Sequence, residues 1–420
     1  MQTAFTTSQR KTIWGCLVLY TLAYLNRMNL APALDSLIQA FQLTPSQAGW
    51  LPTAFAVTYA IGQMVNGALI DRLDPLRHML ISSIGSALCS LLIGRAEQFG
   101  SLLFLCVLNG AFQSMMWTPI VQMIALYFEP HKQKKANMMA SLTLIVGHLG
   151  AWALSGFLCR ILTWRACFIV PGILTFPVLI AVFCVFRGVT HGRSSKSIRR
   201  TKHGHRDGPT LFSIFTRSGF SLIILASLSF GFVRDGIMNW APSLLDMMAP
   251  GKGTDSVLLS LIIPVIDAFG MLVSYILQVR SQIRNRQLSG SFLLLSGVFC
   301  LLLMMVHNLA SVALLMGLAC ACYSGIAPVI NTLIPLEYEP EKVVGLTAGI
   351  IDSSIYLGSA LTGVCSGFVY EMFGMHSLFL SWACIAVLGG IIMHVSDFRL
   401  RKWRVPGLKT EARAMGYQER

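Results

Sequence analysis

Two arginines lie in the middle of long apolar segments, Arg27 near the start of the chain and Arg234 in its second half. A guanidinium stays protonated at any physiological pH, so it cannot enter hydrocarbon by losing its charge. Placing one at the centre of a bilayer costs at least ~2.5–3.5 kcal/mol on insertion scales. Its planar fork can bind a carboxylate or a phosphate through two hydrogen bonds. The pair therefore predicts an anion-binding site within a membrane.

Other ionisable side chains in apolar segments are His148, Asp267 and Asp352. A neutral imidazole can donate a hydrogen bond to an anion. Each carboxylate has two interpretations: it pairs with an arginine and only joins helices, or it takes up a proton during function. Asp235 directly follows Arg234 but points about 100° away around a helix, so the sequence argues against it as the partner of that arginine.

The composition indicates an integral membrane protein. Of the 420 residues, 55% are hydrophobic and 12% are charged, and the mean hydropathy is +0.66, whereas soluble domains carry about 25% charged residues. The apolar runs have about the 20 residues of a spanning helix, rather than the shorter alternation of a barrel strand. Twelve spans are predicted near 12–32, 47–70, 79–95, 101–128, 137–160, 166–187, 218–247, 256–279, 288–307, 309–335, 343–370 and 376–397.

An internal repeat divides the chain. The pattern Asn-x-Ala-Pro-x-Leu occurs at 29–34 and again at 239–244, close to the two arginines. A polar, basic stretch separates the two copies and splits the spans six and six. We therefore predict bundles at 1–187 and 217–398, a cytoplasmic linker at 188–216 and a cytoplasmic tail at 399–420, with a binding site at mid-membrane between the bundles.

The net charge of +14 is distributed unevenly. Lysines and arginines concentrate in alternate loops, which by the positive-inside rule predicts a multi-pass protein of the cell membrane with both termini in the cytoplasm. In a Gram-negative bacterium this would be the inner membrane. Anionic lipid headgroups account for the basic loops, so no nucleic-acid partner is expected. We expect the protein to act as a monomer.

Elements of enzymatic chemistry are missing from the sequence. It contains no phosphate-cradling P-loop, no zinc-ligand spacing and no Gly-x-Ser-x-Gly nucleophile turn. We therefore predict no catalytic residue, no metal and no cofactor. The eleven cysteines are scattered through apolar spans and are interpreted as small membrane-core residues.

The loop after the second span resembles a signature of the major facilitator superfamily. It runs Gly67-Ala-Leu-Ile-Asp71-Arg72-Leu-Asp74-Pro75-Leu-Arg77-His78. The resemblance implies an all-α membrane protein with 12 transmembrane helices in two six-helix bundles. It also implies a role in gating for three of these residues, Asp71, Arg72 and Arg77.

Within that superfamily the chain looks most like the organophosphate:phosphate antiporters, the glycerol-phosphate and hexose-phosphate transporters. Four pieces carry the likeness: Tyr20-x3-Tyr24-Leu-Asn-Arg27-Met-Asn29, Gly110-Ala-Phe-Gln113-Ser-Met-Met-Trp117-Thr-Pro119, Gly147-His148-Leu-Gly150 and Arg234-Asp-Gly-Ile-Met-Asn-Trp240-Ala-Pro242. In that family two arginines grip the phosphate and a histidine assists, which implies these roles for Arg27, Arg234 and His148. The remaining substrate-binding candidates are Tyr20, Tyr24, Gln63, Gln113 and Tyr356.

Two departures from the family concern the charge and size of the pocket. Gln63 stands where the glycerol-phosphate transporter has a lysine, and Gly231 where it has a pocket tyrosine. One positive charge fewer and more room favour a larger or less charged anion than a small phosphate ester.

Three functions remain open from the sequence. The sequence favours the first, exchange of an organophosphate for inorganic phosphate by alternating access, because two like charges facing each other would hinder the empty carrier from closing. The alternative is proton-coupled symport of a sugar acid or another carboxylate, since Asp267 and Asp352 can hold protons. A transporter-like sensor of sugar phosphates is the third.

Overall fold

The computed structural model describes residues 5–69, 74–190, 219–248, 259–280, 283–337 and 344–414. Asp71, Arg72 and the linker residues 191–216 lie outside the described residues. Within the described ranges the regular structure is helical throughout and contains no strand. The helices are α1 Thr7–Leu25, α2 Leu30–Phe41, α3 Pro45–Leu69, α4 Pro75–Ile93, α5 Phe99–Gln113, α6 Trp117–Tyr127, α7 Pro130–Ile161, α8 Ala166–Thr190, α9 Phe220–Met248, α10 Ile262–Arg280, α11 Asn285–Leu302, α12 Leu309–Pro328 and α13 Val344–Ala414.

Prolines break two of the predicted spans. The first span consists of α1 and α2 with residues 26–29 between them, and the fourth consists of α5 and α6 with residues 114–116 between them. Pro32 and Pro119 are the third residues of α2 and α6. A proline has no N–H to donate to the carbonyl four residues earlier, and its ring clashes with that carbonyl. The carbonyls concerned belong to residues 28 and 115, which lie in the two breaks.

The last three predicted spans contain two kinks. After α12 a π-helical turn, Val329–Leu333, leads into the short helix Ile334–Leu336. Inside α13, Gly374 has φ 77°, a left-handed conformation that favours glycine. This kink falls in the predicted turn between the last two spans, at 371–375. Helix α13 continues to Ala414, well beyond the predicted end of the last span.

The helices suit a bilayer in length and surface. Seven helical stretches of the described residues are long and apolar enough to cross a membrane. Large apolar side chains cover the outside, among them Ile180, Phe104 and Phe269, which are 66%, 61% and 60% exposed. The predicted all-α membrane fold is therefore confirmed.

Among the described residues, the two halves of the chain meet mainly along three helix pairs, of which α7 with α10 is the smallest. Helix α2 packs against α9, and α3 packs against α13. At the second contact the backbones approach so closely that a Cβ atom at Gly49 would overlap the carbonyl of Gly363. Thr53 donates its hydroxyl to the carbonyl of Ala360 across the same contact. We call this α3–α13 contact the glycine seam.

The glycine seam closes one side of the molecule. It lies toward the start of α3, beside the turn 42–44 that joins α2 to α3, and we call this side of the membrane the turn side. The amide of Ser46 donates to Glu371 Oε2 over 3.0 Å, which joins the two halves beyond the seam. On the turn side, therefore, the described residues hold the bundles together.

On the opposite side, each bundle is tied within itself. Gln9 donates to Glu129 Oε2 over 3.0 Å, and Lys132 lies 3.1 Å from the same oxygen. These two hydrogen bonds lower the pKa of Glu129 to about 2, so the tie stays ionised at physiological pH. In the second bundle the buried Arg286 donates to Glu337 over 2.9 Å and to Ser396.

Candidate substrate site

A cleft lies between the two bundles and contains a cavity of about 50 Å³. Its lining comes from both halves of the chain, as the sequence predicts. Apolar walls are provided by residues such as Pro52, Phe55, Ile93 and Phe168. The polar lining residues are Arg27, Asn29, Asn109, His148, Asp235, Asn239 and Ser359.

Arg27 lies in the break between α1 and α2 and is surrounded by aromatic rings. Its Cζ is 4.6 Å from the ring centroid of Tyr59, 5.1 Å from that of Phe55, 5.4 Å from that of Tyr356 and 5.9 Å from that of Tyr24. Such contacts stabilise a cation away from water through the negative ring faces. Among the described residues, no carboxylate forms an ion pair with Arg27. Its hydrogen-bond donors are therefore available to a ligand.

The aromatic residues around Arg27 continue into His148. The rings of Tyr24 and His148 have centroids 5.1 Å apart, and Tyr20 packs edge-on against Tyr24 at 5.2 Å. His148 is buried and lines the cleft. The structure thus brings four of the predicted site residues, Tyr20, Tyr24, Arg27 and His148, into one cluster.

Tyr59 and Tyr356 join the bundles beside Arg27. They belong to α3 and α13, and their ring centroids are 4.4 Å apart. Gln63, one turn further along α3, donates to the hydroxyl of Tyr59 over 2.9 Å. Tyr59 is absent from the residues predicted from sequence. Its position four residues before Gln63, on the same helical face, is the signal that could have found it.

Gln113 lies inside the first bundle and not in the cleft. Its amide donates to the carbonyl of Ala23 over 3.0 Å and to Ser86 Oγ over 2.9 Å, and the residue is buried. These bonds join α5 to α1 and α4. In this structure Gln113 therefore supports the helix that carries Arg27 and does not line the cleft.

Arg234 is paired with two carboxylates. Its guanidinium is 3.2 Å from Asp235 Oδ1 and 3.6 Å from Asp267 Oδ2, and Ser324 donates to the other oxygen of Asp267. The prediction that Asp235 is a poor partner is wrong. The angular argument considers only the directions in which side chains leave the helix, whereas a long arginine side chain can bend back toward its neighbour. Asp235 also lines the cleft, so this ion pair borders the site.

Asp352 adds a third carboxylate near the site. It is half-buried on α13, one helical turn before Tyr356, and interacts electrostatically with Arg27. Of these charged groups, Arg27 and Asp235 line the cleft, and Arg234, Asp267 and Asp352 lie around it.

Arg77, a residue predicted to act in gating, is at the start of α4. Its side chain is 83% exposed and lies 3.6 Å from Asp74, whose carboxylate accepts a hydrogen bond from the amide of Leu76 at the helix end. Because Asp71 and Arg72 are outside the described residues, the gating role of this loop stays a prediction.

Comparison with known proteins identifies the family. The model of the Major Facilitator Superfamily matches residues 16–294 and 283–413. The chain belongs to the major facilitator superfamily. The structure superposes with a TM-score of 0.80 on a bacterial homolog of the human lysosomal transporter Spinster, solved in an inward-facing and occupied conformation. The superposition covers 95% of this chain and 99% of the homolog's chain. At 15% identity, this likeness supports the superfamily fold alone.

Two relatives within the superfamily transport organic anions, according to their names. The glycerol-3-phosphate transporter of Bacillus subtilis is 22% identical over 415 residues, which is 94% of this chain and 93% of that protein. The D-galactonate transporter of Escherichia coli O6:H1 is 26% identical over 151 residues, 36% of this chain and 35% of that protein. The predicted resemblance to glycerol-phosphate transporters is confirmed at this low identity. Since the family and these relatives are transporters, the chain is not an enzyme.

Proposed function

We propose that this protein is a secondary transporter of organic anions, in which Arg27 binds the anionic group of the substrate. One observation carries the proposal: a guanidinium without a carboxylate partner among the described residues lines a cleft between the two bundles. An anion that contacts both bundles stabilises the state in which they close around it. This difference in contact is what can shift an alternating-access equilibrium.

The pairing of Arg234 changes the choice between exchange and symport. Exchange was favoured because two unpaired arginines would repel each other in the empty carrier. Asp235 and Asp267 supply the missing countercharge, so the empty carrier has no such reason to stay open. We therefore favour proton-coupled symport, the second hypothesis from the sequence, over exchange.

The ion pair suggests how a proton and an anion are coupled. When Asp267 or Asp235 takes up a proton, its negative charge disappears and the N–H groups of Arg234 become available to the anion. When the proton leaves, the carboxylate recovers the guanidinium and displaces the anion. Binding of the proton and binding of the anion thereby favour each other, as linked equilibria require.

The lining of the cleft favours a hydroxylated monocarboxylate. A phosphate dianion would place its second charge among the three carboxylates, whereas a monoanion needs only one guanidinium fork. The amide side chains of Asn29, Asn109 and Asn239 line the same space and suit hydroxyl groups. We propose sugar acids as the substrate class, with D-galactonate and glycerol 3-phosphate as the two probes to compare.

The experiment measures uptake of each labelled probe into proteoliposomes. We expect D-galactonate to accumulate when the outside is more acidic than the inside, and accumulation to stop when a proton ionophore collapses the gradient. Uptake that does not depend on the proton gradient but requires phosphate inside the vesicles would support exchange instead. Binding without any transport would support a sensor.

We also propose an orientation in the membrane and a gating role for the loop after the second span. The protein is placed in the cell membrane with both termini in the cytoplasm, because the basic loops lie on the side where the chain begins. That assignment makes the turn side the outer side. Asp71, Arg72 and Arg77 are proposed to act in closing the cytoplasmic side.

A further inference from the structure

Two thiols meet where α7 is followed by α8. Cys159 is in the last turn of α7 and Cys167 in the first turn of α8, and their Sγ atoms are 2.7 Å apart. Non-bonded carbon atoms are at their best separation at about 3.5–4.0 Å, and sulfur is the larger atom. The backbone therefore holds both side chains close enough for a covalent bond between the sulfur atoms.

The two cysteines differ in how exposed they are. Cys167 is fully buried, whereas Cys159 is half-buried and borders a loop in which Leu162 is 61% exposed. Arg160 and Arg165 flank this loop. Cationic neighbours favour the thiolate, which is the reactive form. Of the two, Cys159 is the thiol that a small molecule can reach first.

We infer that Cys159 and Cys167 form a reversible disulfide that links α7 to α8. The oxidant is a small disulfide such as oxidised glutathione. The thiolate of Cys159 attacks one of its sulfur atoms, forms a mixed disulfide and releases one glutathione thiol. Cys167 then attacks Sγ of Cys159, and the second glutathione leaves as a thiol. The two protein thiols are oxidised, the glutathione disulfide is reduced, and two protons pass to the released thiols.

The proposed bond lies next to the cleft. The carbonyl of Cys167 accepts a hydrogen bond of 3.1 Å from the side-chain amide of Asn29, and the following residue, Phe168, lines the cleft. A disulfide would fix the first turn of α8 and with it this part of the cleft wall. The loop 162–165 is on the turn side, which the charge pattern places outside the cell, where disulfides persist.

Tryptic mapping of the full-length protein tests the inference. The purified protein is incubated with oxidised glutathione, its remaining thiols are blocked with N-ethylmaleimide after denaturation, and it is digested. Cleavage after Lys135, Arg160, Arg165 and Arg187 places the two cysteines in separate peptides, 136–160 and 166–187. We expect these peptides to be joined, with N-ethylmaleimide on Cys184. Apart from that adduct, the mass should be lower by about 2 Da than the sum of the two thiol peptides, because two hydrogens are lost. Dithiothreitol should separate them.

The second peptide also contains Cys184, which is exposed and provides the matched control. The joined peptides should persist in Cys184→Ser and disappear in Cys159→Ser. The comparison of oxidised with reduced wild-type protein needs no variant, so it holds even if one variant folds poorly. N-ethylmaleimide on both Cys159 and Cys167 after oxidation, or loss of the joined peptides in Cys184→Ser, would overturn the inference.

Discussion

The four rings around Arg27 contact its guanidinium through the ring faces and form no hydrogen bonds with it. At desolvated sites a contact of this kind contributes about 2 kcal/mol. The rings can therefore hold the charge in the membrane interior while the N–H groups remain available to a substrate. A carboxylate partner would stabilise the charge at the cost of those donors, which is the situation of Arg234.

Replacing Arg27 by lysine is expected to weaken substrate binding at least tenfold, equivalent to about 1.4 kcal/mol. An ammonium keeps the charge but lacks the planar fork and stacks less well on rings. The measurement is the KM for proton-driven uptake in proteoliposomes. Arg95→Lys is the matched control, because Arg95 is exposed in a loop of the same bundle. Equal KM values for the two variants would contradict the proposed role.

Replacing Asp267 by asparagine is expected to separate anion transport from the proton gradient. Asparagine retains an oxygen that can accept a hydrogen bond from Ser324, but it carries no charge and cannot take up a proton. Counterflow of labelled substrate should continue, while accumulation driven by an acidic exterior should fall by about tenfold or more, as expected for loss of ~1.4 kcal/mol of coupling. Glu97→Gln, in an exposed loop, controls for loss of a carboxylate. Undiminished accumulation would remove Asp267 from the coupling mechanism.

The sequence allowed the arginines and His148 to be identified because ionisable groups in apolar segments are rare and stand out. It named Asp267 and Asp352 as candidate partners of the arginines but did not decide which pair forms. Asp267 reaches Arg234 because α9 and α10 both pack against α12, and no spacing within the chain encodes that distance. Asp235 was misjudged because a helical wheel describes Cβ directions and not the reach of a long side chain.

At the scale of the helix, small residues determine how closely the bundles approach. Gly49 and Gly363 allow backbone-to-backbone contact at the glycine seam, and Thr53 adds a hydrogen bond there. Close approach of this kind is a common device between membrane helices, where packing replaces the hydrophobic effect. The seam has to open if the turn side is to admit substrate.

Gly363→Ala is expected to open the seam, because the added methyl would overlap Thr53 and the backbone of Gly49. Hydrogen exchange should become faster in α3 near Thr53, since local opening limits exchange there. Gly349→Ala is a matched control on the same helix, because a Cβ atom at Gly349 meets nothing within 4 Å. If both variants exchange like the wild type, the seam is not what holds the turn side closed.

A proline marks each of the two helix breaks in the sequence. A proline alone, however, does not determine whether a helix is interrupted. Pro32 and Pro119 interrupt their spans, whereas Pro52 and Pro242 lie inside α3 and α9 without a break. A continuous helix can bend around a proline when neighbouring helices support it. The outcome therefore depends on packing between helices, which one sequence does not supply.

At the scale of the molecule, two bundles share one site. The polar, basic stretch between the repeat copies predicted the six-and-six division, and the repeat around the arginines predicted a site between the halves. The sequence could not predict which side is closed, because the same residues form both end states and the difference between them is a few kcal/mol. The closure on the turn side is thus new information from the contacts.

A ligand that contacts both bundles should stabilise the whole molecule against heat. At 100 times the dissociation constant, binding to the native state adds about 2.7 kcal/mol. We expect a sugar acid to raise the Tm of the wild type more than a phosphate ester does. The shift should disappear in Arg27→Lys and remain in Arg95→Lys. A larger shift with phosphate esters would favour the exchange hypothesis.

The break before α2 also has a consequence for the electrostatics of the cleft. Leu30 and Ala31, the first residues of α2, line the cleft beside Arg27. First-turn amides have no acceptor within their own helix, and the aligned peptide dipoles leave about half a positive charge at that end. The interruption before Pro32 therefore places the amide end of α2 at the cleft. These donors attract negative charge at every pH, need no countercharge, and cannot be removed by replacing a side chain.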